Sequence, residues 1–304
     1  MSTDIIKRID TLYPTFSKGQ KKLANAVLTE YEKVGYMTAT RLGQHVGVSE
    51  STVVRFANEL GFEGYSEFQD AVQELARMYL TPNERIELTK CRIGNHSDIV
   101  EKVMESDMNK VRRTMERVNR TQFRRAVDTI IKARKIYIMG ARSSEPLARF
   151  LQYNLSLIFD NVRLVLPMST SEVFEQMLDV GAEDVLIAFS FPRYSTKMIN
   201  AVKYAHDCSV KTIVFTDSDV SPLAAVGDFV LTAESDMASF MDSLVAPISL
   251  INAMVVELTS RCERRIRDRF ERLEKMWGNY GVYTKSPKDR LKEELKKAEK
   301  ATGK

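Results

Sequence analysis

The 304-residue sequence has few of the residues that build disulfide frameworks or metal centres: 3 cysteines, 3 histidines and 1 tryptophan. Cys91, Cys208 and Cys262 lie far apart with no CxxC pair, so neither a disulfide framework nor a thiolate zinc site is indicated. His45, His96 and His206 are equally scattered; no metal and no cofactor are expected. No run approaches the roughly 18 apolar residues needed to cross a bilayer. The N-terminus, MSTDIIKRID, lacks the apolar core of a secretion signal. A cytoplasmic protein with no membrane partner is the expectation.

With 44% hydrophobic and 28% charged residues, the chain has the composition of a globular protein, long enough for two domains. Its net charge of +4 permits nucleic acid without demanding it. Residues 1–80 hold 9 Lys/Arg against 10 Asp/Glu, whereas residues 101–135 hold 11 against 5. DNA binding by the first region therefore depends on local placement of cations.

Lys18 to Tyr31 reads as a helix with Leu23, Ala24, Ala26 and Val27 on its apolar face, and Ser17 and Gln20 at capping-box spacing. Thr38 or Thr40 begins a second helix that runs through His45 and stops at Gly47. Ser49 caps a third, with Thr52 at its third position and Val53, Phe56 and Leu60 facing inward. Two helices joined by a short glycine-containing turn form a helix-turn-helix, whose second helix can enter a major groove. Ser49, Glu50, Ser51, Thr52, Arg55 and Asn58 offer groups suited to bases or phosphates, and Lys18, Lys21 and Lys22 are candidate phosphate contacts. The competing reading is a helical packing module whose polar residues face water.

Thr81 to Ser97 reads as a loose, partly helical junction. From Asp98 a helix carries an apolar stripe of Ile99, Val103, Met104, Val111, Met115 and Val118, followed by a break at Asn119. Arg112, Arg113, Arg117, Arg120, Arg124 and Arg125 are expected to solvate helices or pair with Glu101, Glu105 and Glu116 on neighbouring turns.

Five apolar strands then follow, at Lys135–Met139, Val162–Leu166, Asp184–Phe189, Lys211–Phe215 and Phe229–Leu231. Helical stretches at Glu145–Ile158, Ser171–Val180, Thr196–Cys208 and a short Pro222–Ala225 segment separate them. This alternation predicts an α/β three-layer (αβα) domain with a five-stranded parallel sheet. Ligands on such sheets collect beyond the C-terminal strand ends. There the first strand leaves Gly140, Arg142, Ser143 and Ser144, and the third leaves Ser190, Arg193, Tyr194, Ser195 and Thr196. Serine caps at helix starts explain part of this pattern; a phosphate held by backbone N–H groups, hydroxyls and helix dipoles explains the clustering at both ends. Phe240 to Trp277 reads as one long or slightly broken helical region interrupted at Pro247, its stripe of Ile266, Phe270, Leu273 and Trp277 suited to the connector or a second subunit.

On Leu42, Val46, Gly47, Val48, Ser49, Thr52, Val53, Arg55 and Phe56, and on LGFEGYSEFQ from Leu60 to Gln69, the first part resembles the helix-turn-helix of RpiR/MurR-family bacterial transcriptional regulators. Gly43 stands where that family usually has alanine. The second part, through Ser143, Ser144 and SFPRYSTK (190–197), resembles the SIS (sugar isomerase) domain. The resemblance implies a helix-turn-helix domain at 1–80, a helical connector at 81–127, a SIS phosphosugar-binding domain at 128–275 and a charged tail at 276–304. It also implies double-stranded DNA, a palindromic operator, as one partner and a phosphorylated sugar or amino-sugar effector as another. The protein itself would be a homo-oligomer, dimer or tetramer. An isomerase would need a base such as Glu145, Glu172, Glu175, Glu257 or His206; none is singled out, and no catalytic residue is assigned. A phosphosugar-sensing adaptor that binds protein through residues 1–80 is the remaining alternative.

Overall fold

A computed structural model describes residues 2–93, 98–166, 169–236 and 239–284. Its helices are α1 (Ser2–Leu12), α2 (Lys18–Thr29), α3 (Tyr31–Val34), α4 (Ala39–Val46), α5 (Glu50–Glu59), α6 (Tyr65–Tyr79), α7 (Pro82–Ile93), α8 (Ile99–Arg117) and α9 (Arg120–Lys132). After these come β1 (Ile136–Gly140), α10 (Glu145–Ile158), β2 (Val162–Val165), α11 (Thr170–Gln176), β3 (Val185–Phe189), α12 (Thr196–Asp207), β4 (Lys211–Thr216), β5 (Phe229–Thr232), α13 (Val245–Arg261) and α14 (Glu263–Tyr280). Residues 285–304 of the expected tail and the Gly94–Ser97 part of the junction lie outside the described residues; the first part of that tail, to Tyr280, continues α14.

The first core packs Leu23 and Val27 of α2, Leu42 of α4, Val53 and Phe56 of α5 and Phe68 and Val72 of α6 against one another. Ile5 and Ile9 of α1, a helix the sequence reading omits, are fully buried in it. Phe56 sits between Phe16 and Phe68, with ring centroids 5.3 and 5.8 Å away. The Ser17–Gln20 capping box forms as expected. Gly47 takes φ +72°, the left-handed region that glycine enters without steric cost, and ends α4 there. Gly43 is required for a different reason: a Cβ at that position would lie 2.8 Å from the carbonyl oxygen of Val48, so the glycine lets the turn fold back onto α4.

Three connector expectations change, wholly or in part. The junction after residue 81 holds a regular helix, α7, begun by a Thr81-Pro82-Asn83-Glu84 box: Thr81 N–H donates to Glu84 (2.7 Å) and Glu84 N–H to Thr81 Oγ1 (3.4 Å). In α8 the buried residues are polar, Lys110 and Thr114, while Ile99, Val100, Met104, Met108 and Met115 are exposed. Of the expected stripe, Ile99, Met104 and Met115 thus face away from the chain's own core, while Val103 and Val111 are half-buried and Val118 packs against it. Three of the six arginines make contacts across elements: Arg113 and Arg117 reach Glu234 (4.0 and 2.7 Å) and Arg125 covers the Phe229 ring, while Arg112, Arg120 and Arg124 are exposed to solvent as expected.

The sheet is wholly parallel, in the order β2-β1-β3-β4-β5. Alternation along each strand divides the core between its two faces. Ile136 and Ile138 pack with α9, α10 and α13; Tyr137 and Met139 pack with α11 and α12. From β1 the chain goes to β2 on one side and then to β3 on the other, so α10 and α12 cover opposite faces and a crevice opens between the ends of β1 and β3. The long C-terminal helix is two helices, bent by 96° at Cys262. Pro247 does not interrupt it; the proline lies in the first turn of α13, where its missing N–H has no intrahelical partner to lose. Ile266, Phe270, Leu273 and Trp277 of α14 are half-buried, and Arg269 donates to the Ser156 carbonyl of α10 (2.8 Å). Among the described residues, no single helix is long and apolar enough to cross a membrane.

Candidate functional site

A cavity of about 280 Å³ opens at the crevice, lined by residues 141–144 after β1 and 190–193 and 195 after β3. Its other walls come from Pro82 and Arg85 of α7 and from Phe240, Met241 and Asp242 before α13. Of the residues singled out in the sequence, Arg142, Ser143, Ser144, Ser190, Arg193 and Ser195 share this lining. Gly140 is buried and does not line the cavity; a Cβ there would lie 2.5 Å from the Ser144 carbonyl oxygen, so the glycine permits the close approach of the chain that leads into α10. Tyr194 is turned away, its hydroxyl donating to Asp217 (2.8 Å), and Thr196 is exposed at the first turn of α12 without lining the cavity.

The serines at the heads of α10 and α12 behave differently from the other polar N-caps. Ser17, Thr38, Ser49, Asp98, Asn119 and Ser169 all accept hydrogen bonds from their helices' first N–H groups. Ser144 and Ser195 occupy the N-cap positions of α10 and α12 with no side-chain cap bond. The expected caps therefore do not form at the two helices that face the cavity. At α12 no side chain caps the first N–H groups, and the dipole there favours negative charge; at α10 Glu145 N–H already donates to the Arg142 carbonyl and Pro146 has no N–H.

Arg142 and Arg193 adopt φ +55° and +62°, a conformation that costs a non-glycine residue about 1–2 kcal/mol. The two strained residues occupy matching places, one on each lip. Three arginines (85, 142, 193) and one carboxylate (Asp242) line the cavity, which gives it an excess of positive charge. Arg85 and Asp242 are paired at 2.9 Å, the former 2% exposed. Burial pushes the Asp242 carboxyl up to about 6; Arg85 opposes that shift, and Asp217 and Asp236 reinforce it. Neither residue of this pair is evident from sequence. The Thr81–Glu84 box is the one signal that places a helix around Arg85; Asp242 carries none.

Glu172, the isomerase candidate nearest the second strand, accepts from Ser169 N–H (3.0 Å) in a capping box and does not line the cavity. Among the described residues, no group of three or more His, Cys, Asp or Glu could hold a metal ion.

In the helix-turn-helix, α5 presents Glu50, Ser51, Arg55 and Asn58 to solvent, with Thr52 half-buried. Ser49 is engaged as the cap, bonded to Thr52 N–H (3.3 Å) and to the hydroxyls of Ser51 and Thr52. Glu50 accepts from Thr40 (2.7 Å), which ties α5 to α4. Lys18 and Lys22 are exposed at the head of α2, while Lys21 lies over the Tyr13 ring.

Residues 3–77 match the helix-turn-helix domain of the rpiR family, and residues 129–257 match the SIS domain. The chain belongs to the RpiR family. Its two matched segments combine a DNA-binding helix-turn-helix with a SIS sugar-phosphate domain, the organisation of a transcriptional regulator and not of an isomerase. An HTH-type transcriptional regulator of Haemophilus influenzae is 26% identical over 231 residues, covering 76% of this chain and 80% of that one. The Escherichia coli regulator HexR is 22% identical over 284 residues, 89% of this chain and 93% of its own. Among solved structures, the sugar isomerase domain of an RpiR transcription factor from Sphaerobacter thermophilus superposes with a TM-score of 0.57 at 22% identity, covering 59% of this chain and 99% of that one. The Vibrio vulnificus NanR protein, complexed with ManNAc-6P, gives 0.55 at 21% identity over 90% of this chain and 98% of that one. These likenesses establish the RpiR-type fold along nearly the whole chain.

Proposed function

We propose that this RpiR-family protein is a ligand-controlled transcriptional regulator that holds a phosphorylated sugar or amino sugar in the crevice and a palindromic operator through paired α5 helices. The carrying observation is that Ser144 and Ser195, alone among the Ser, Thr, Asp and Asn N-caps described, make no cap bond and line one arginine-rich cavity. A phosphate there receives N–H groups from the start of α12, hydroxyls from Ser143, Ser144, Ser190 and Ser195, and charge from Arg142 and Arg193. On the DNA side, Ser51, Arg55 and Asn58 read base edges while Lys18 and Lys22 hold phosphates. A second copy covers the outward apolar face of α8, where Val100, Met104, Met108 and Met115 are exposed. A dimer presents two recognition helices, which is what a palindromic operator requires.

The test is a thermal-shift screen of phosphorylated sugars on the wild type and on Ser190→Ala and Ser195→Ala. Stabilisation by at least one sugar phosphate, lost in both variants, supports the reading. Stabilisation that survives both substitutions contradicts it.

A further inference from the structure

The loop between β5 and α13 lines the cavity with Phe240, Met241 and Asp242 and is hydrogen-bonded to both connector helices. Ser243 Oγ donates to Asp107 of α8 (2.6 Å), Glu234 N–H donates to Thr114 Oγ1 (2.9 Å), and Arg117 reaches the Glu234 carboxylate. Asp242 accepts from Arg85 of α7 (2.9 Å). Only two residues separate α7 from α6, the last helix matched to the DNA-binding domain. Arg85 is therefore both a wall of the sensor cavity and part of the segment leaving the DNA-binding domain.

A guanidinium that lines an anion cavity and is paired with a carboxylate has another acceptor available when a phosphate arrives. Phosphate oxygens match the guanidinium fork as well as a carboxylate does and carry more charge. We propose that Arg85 is a further ligand-binding residue: the anion in the crevice takes its guanidinium over from Asp242, and α7 moves with it. This rests on the crevice being the phosphate site. Asp242 is then a built-in competitor for the anion. Its carboxylate, already disfavoured by burial and by Asp217 and Asp236, is released towards the protonated form once Arg85 leaves it. The exchange couples occupancy to the DNA-binding half through differential contacts in two states.

The experiment titrates the full-length protein with inorganic phosphate by calorimetry. Removing the competitor and removing the cation have opposite expected effects. Asp242→Asn binds phosphate several-fold more tightly than wild type, and Arg85→Gln binds roughly tenfold more weakly, the loss of one charge-assisted hydrogen bond. Arg85→Lys, which keeps the charge, falls between wild type and Arg85→Gln. Where Arg85→Gln fails to fold, the neutral pair Arg85→Gln/Asp242→Asn replaces it and binds as weakly as expected for the single variant. Hydrogen exchange over residues 82–90 changes on phosphate addition in the wild type and not in the double variant. Weaker binding in Asp242→Asn, or wild-type binding in the double variant, overturns the proposal and leaves the pair a structural clasp. Ser195→Ala separates the two levels: unchanged phosphate binding there overturns the crevice reading itself, whereas loss there with no effect of Arg85→Gln overturns this inference alone.

Discussion

Ser144 and Ser195 stand at equivalent places, each following a strand and heading a helix, and both leave their helices' first N–H groups without a side-chain cap. A serine cap contributes about 1 kcal/mol to a helix. Substituting either serine by alanine therefore has little effect on the melting temperature of the unliganded protein, whereas Ser17→Ala, which removes a formed capping box, lowers it. Comparative melts of the three variants check this. At the opposite end of the sheet Asp184 has a purely structural part. Burial raises its carboxyl, but hydrogen bonds from Arg134 and from Gly181 N–H outweigh that effect, and the group lies below the ordinary aspartate value. The folded state thus binds this proton less tightly than the unfolded chain. The stabilisation is present above about pH 4 and is lost as pH falls through the lowered folded value. Urea denaturation of Asp184→Asn at pH 7 and at pH 3 is the check: the variant is less stable than wild type at pH 7, and the gap narrows in acid.

At the scale of elements, the turn between α4 and α5 shows what sequence could and could not convey. Gly47, the Ser49 cap and the inward Val53 and Phe56 are local signals, and the two helices form where those signals put them. By propensity alone, a glycine at position 43 inside α4 is a cost relative to alanine. Its reason, the Val48 carbonyl folded back to within 2.8 Å of where a Cβ would be, lies across a turn that no local pattern describes. Gly43→Ala therefore destabilises the domain by about 1–3 kcal/mol despite alanine's better propensity, measurable by thermal or urea denaturation. Strand and helix order in the second domain was legible because parallel strands buried on both faces read as short apolar runs. From that order the convergence of the loops after β1 and β3 also followed. The third wall of the cavity did not. Arg85 and Asp242 are 157 positions apart, and their pairing depends on how the connector lies against the sheet domain. Nor could periodicity tell which side of α8 faces inward: its stripe is real, but Lys110 and Thr114 take the buried side because Asp107, Ser243 and Glu234 supply polar partners there.

For the whole molecule, that outward face of α8 has a consequence for assembly. Val100, Met104, Met108 and Met115 recur down one helix and remain exposed in the single chain. With Met104→Glu and Met115→Glu together, sedimentation shows a shift towards the monomer and operator affinity falls, because one recognition helix replaces two. Arg55→Ala instead weakens specific binding by about 1–3 kcal/mol per contacted base pair and leaves the sedimentation of the protein unchanged, which electrophoretic titration at fixed salt resolves. The central claim is that one chain joins an anion crevice to a DNA-binding domain so that each biases the other. Its most direct test is the affinity of the full-length protein for its own upstream DNA, measured with and without the sugar phosphate that gives the largest thermal shift, in wild type and Ser195→Ala. The account predicts a change of about fivefold or more in the wild type and none in Ser195→Ala; an affinity that the sugar phosphate leaves unchanged in the wild type contradicts it.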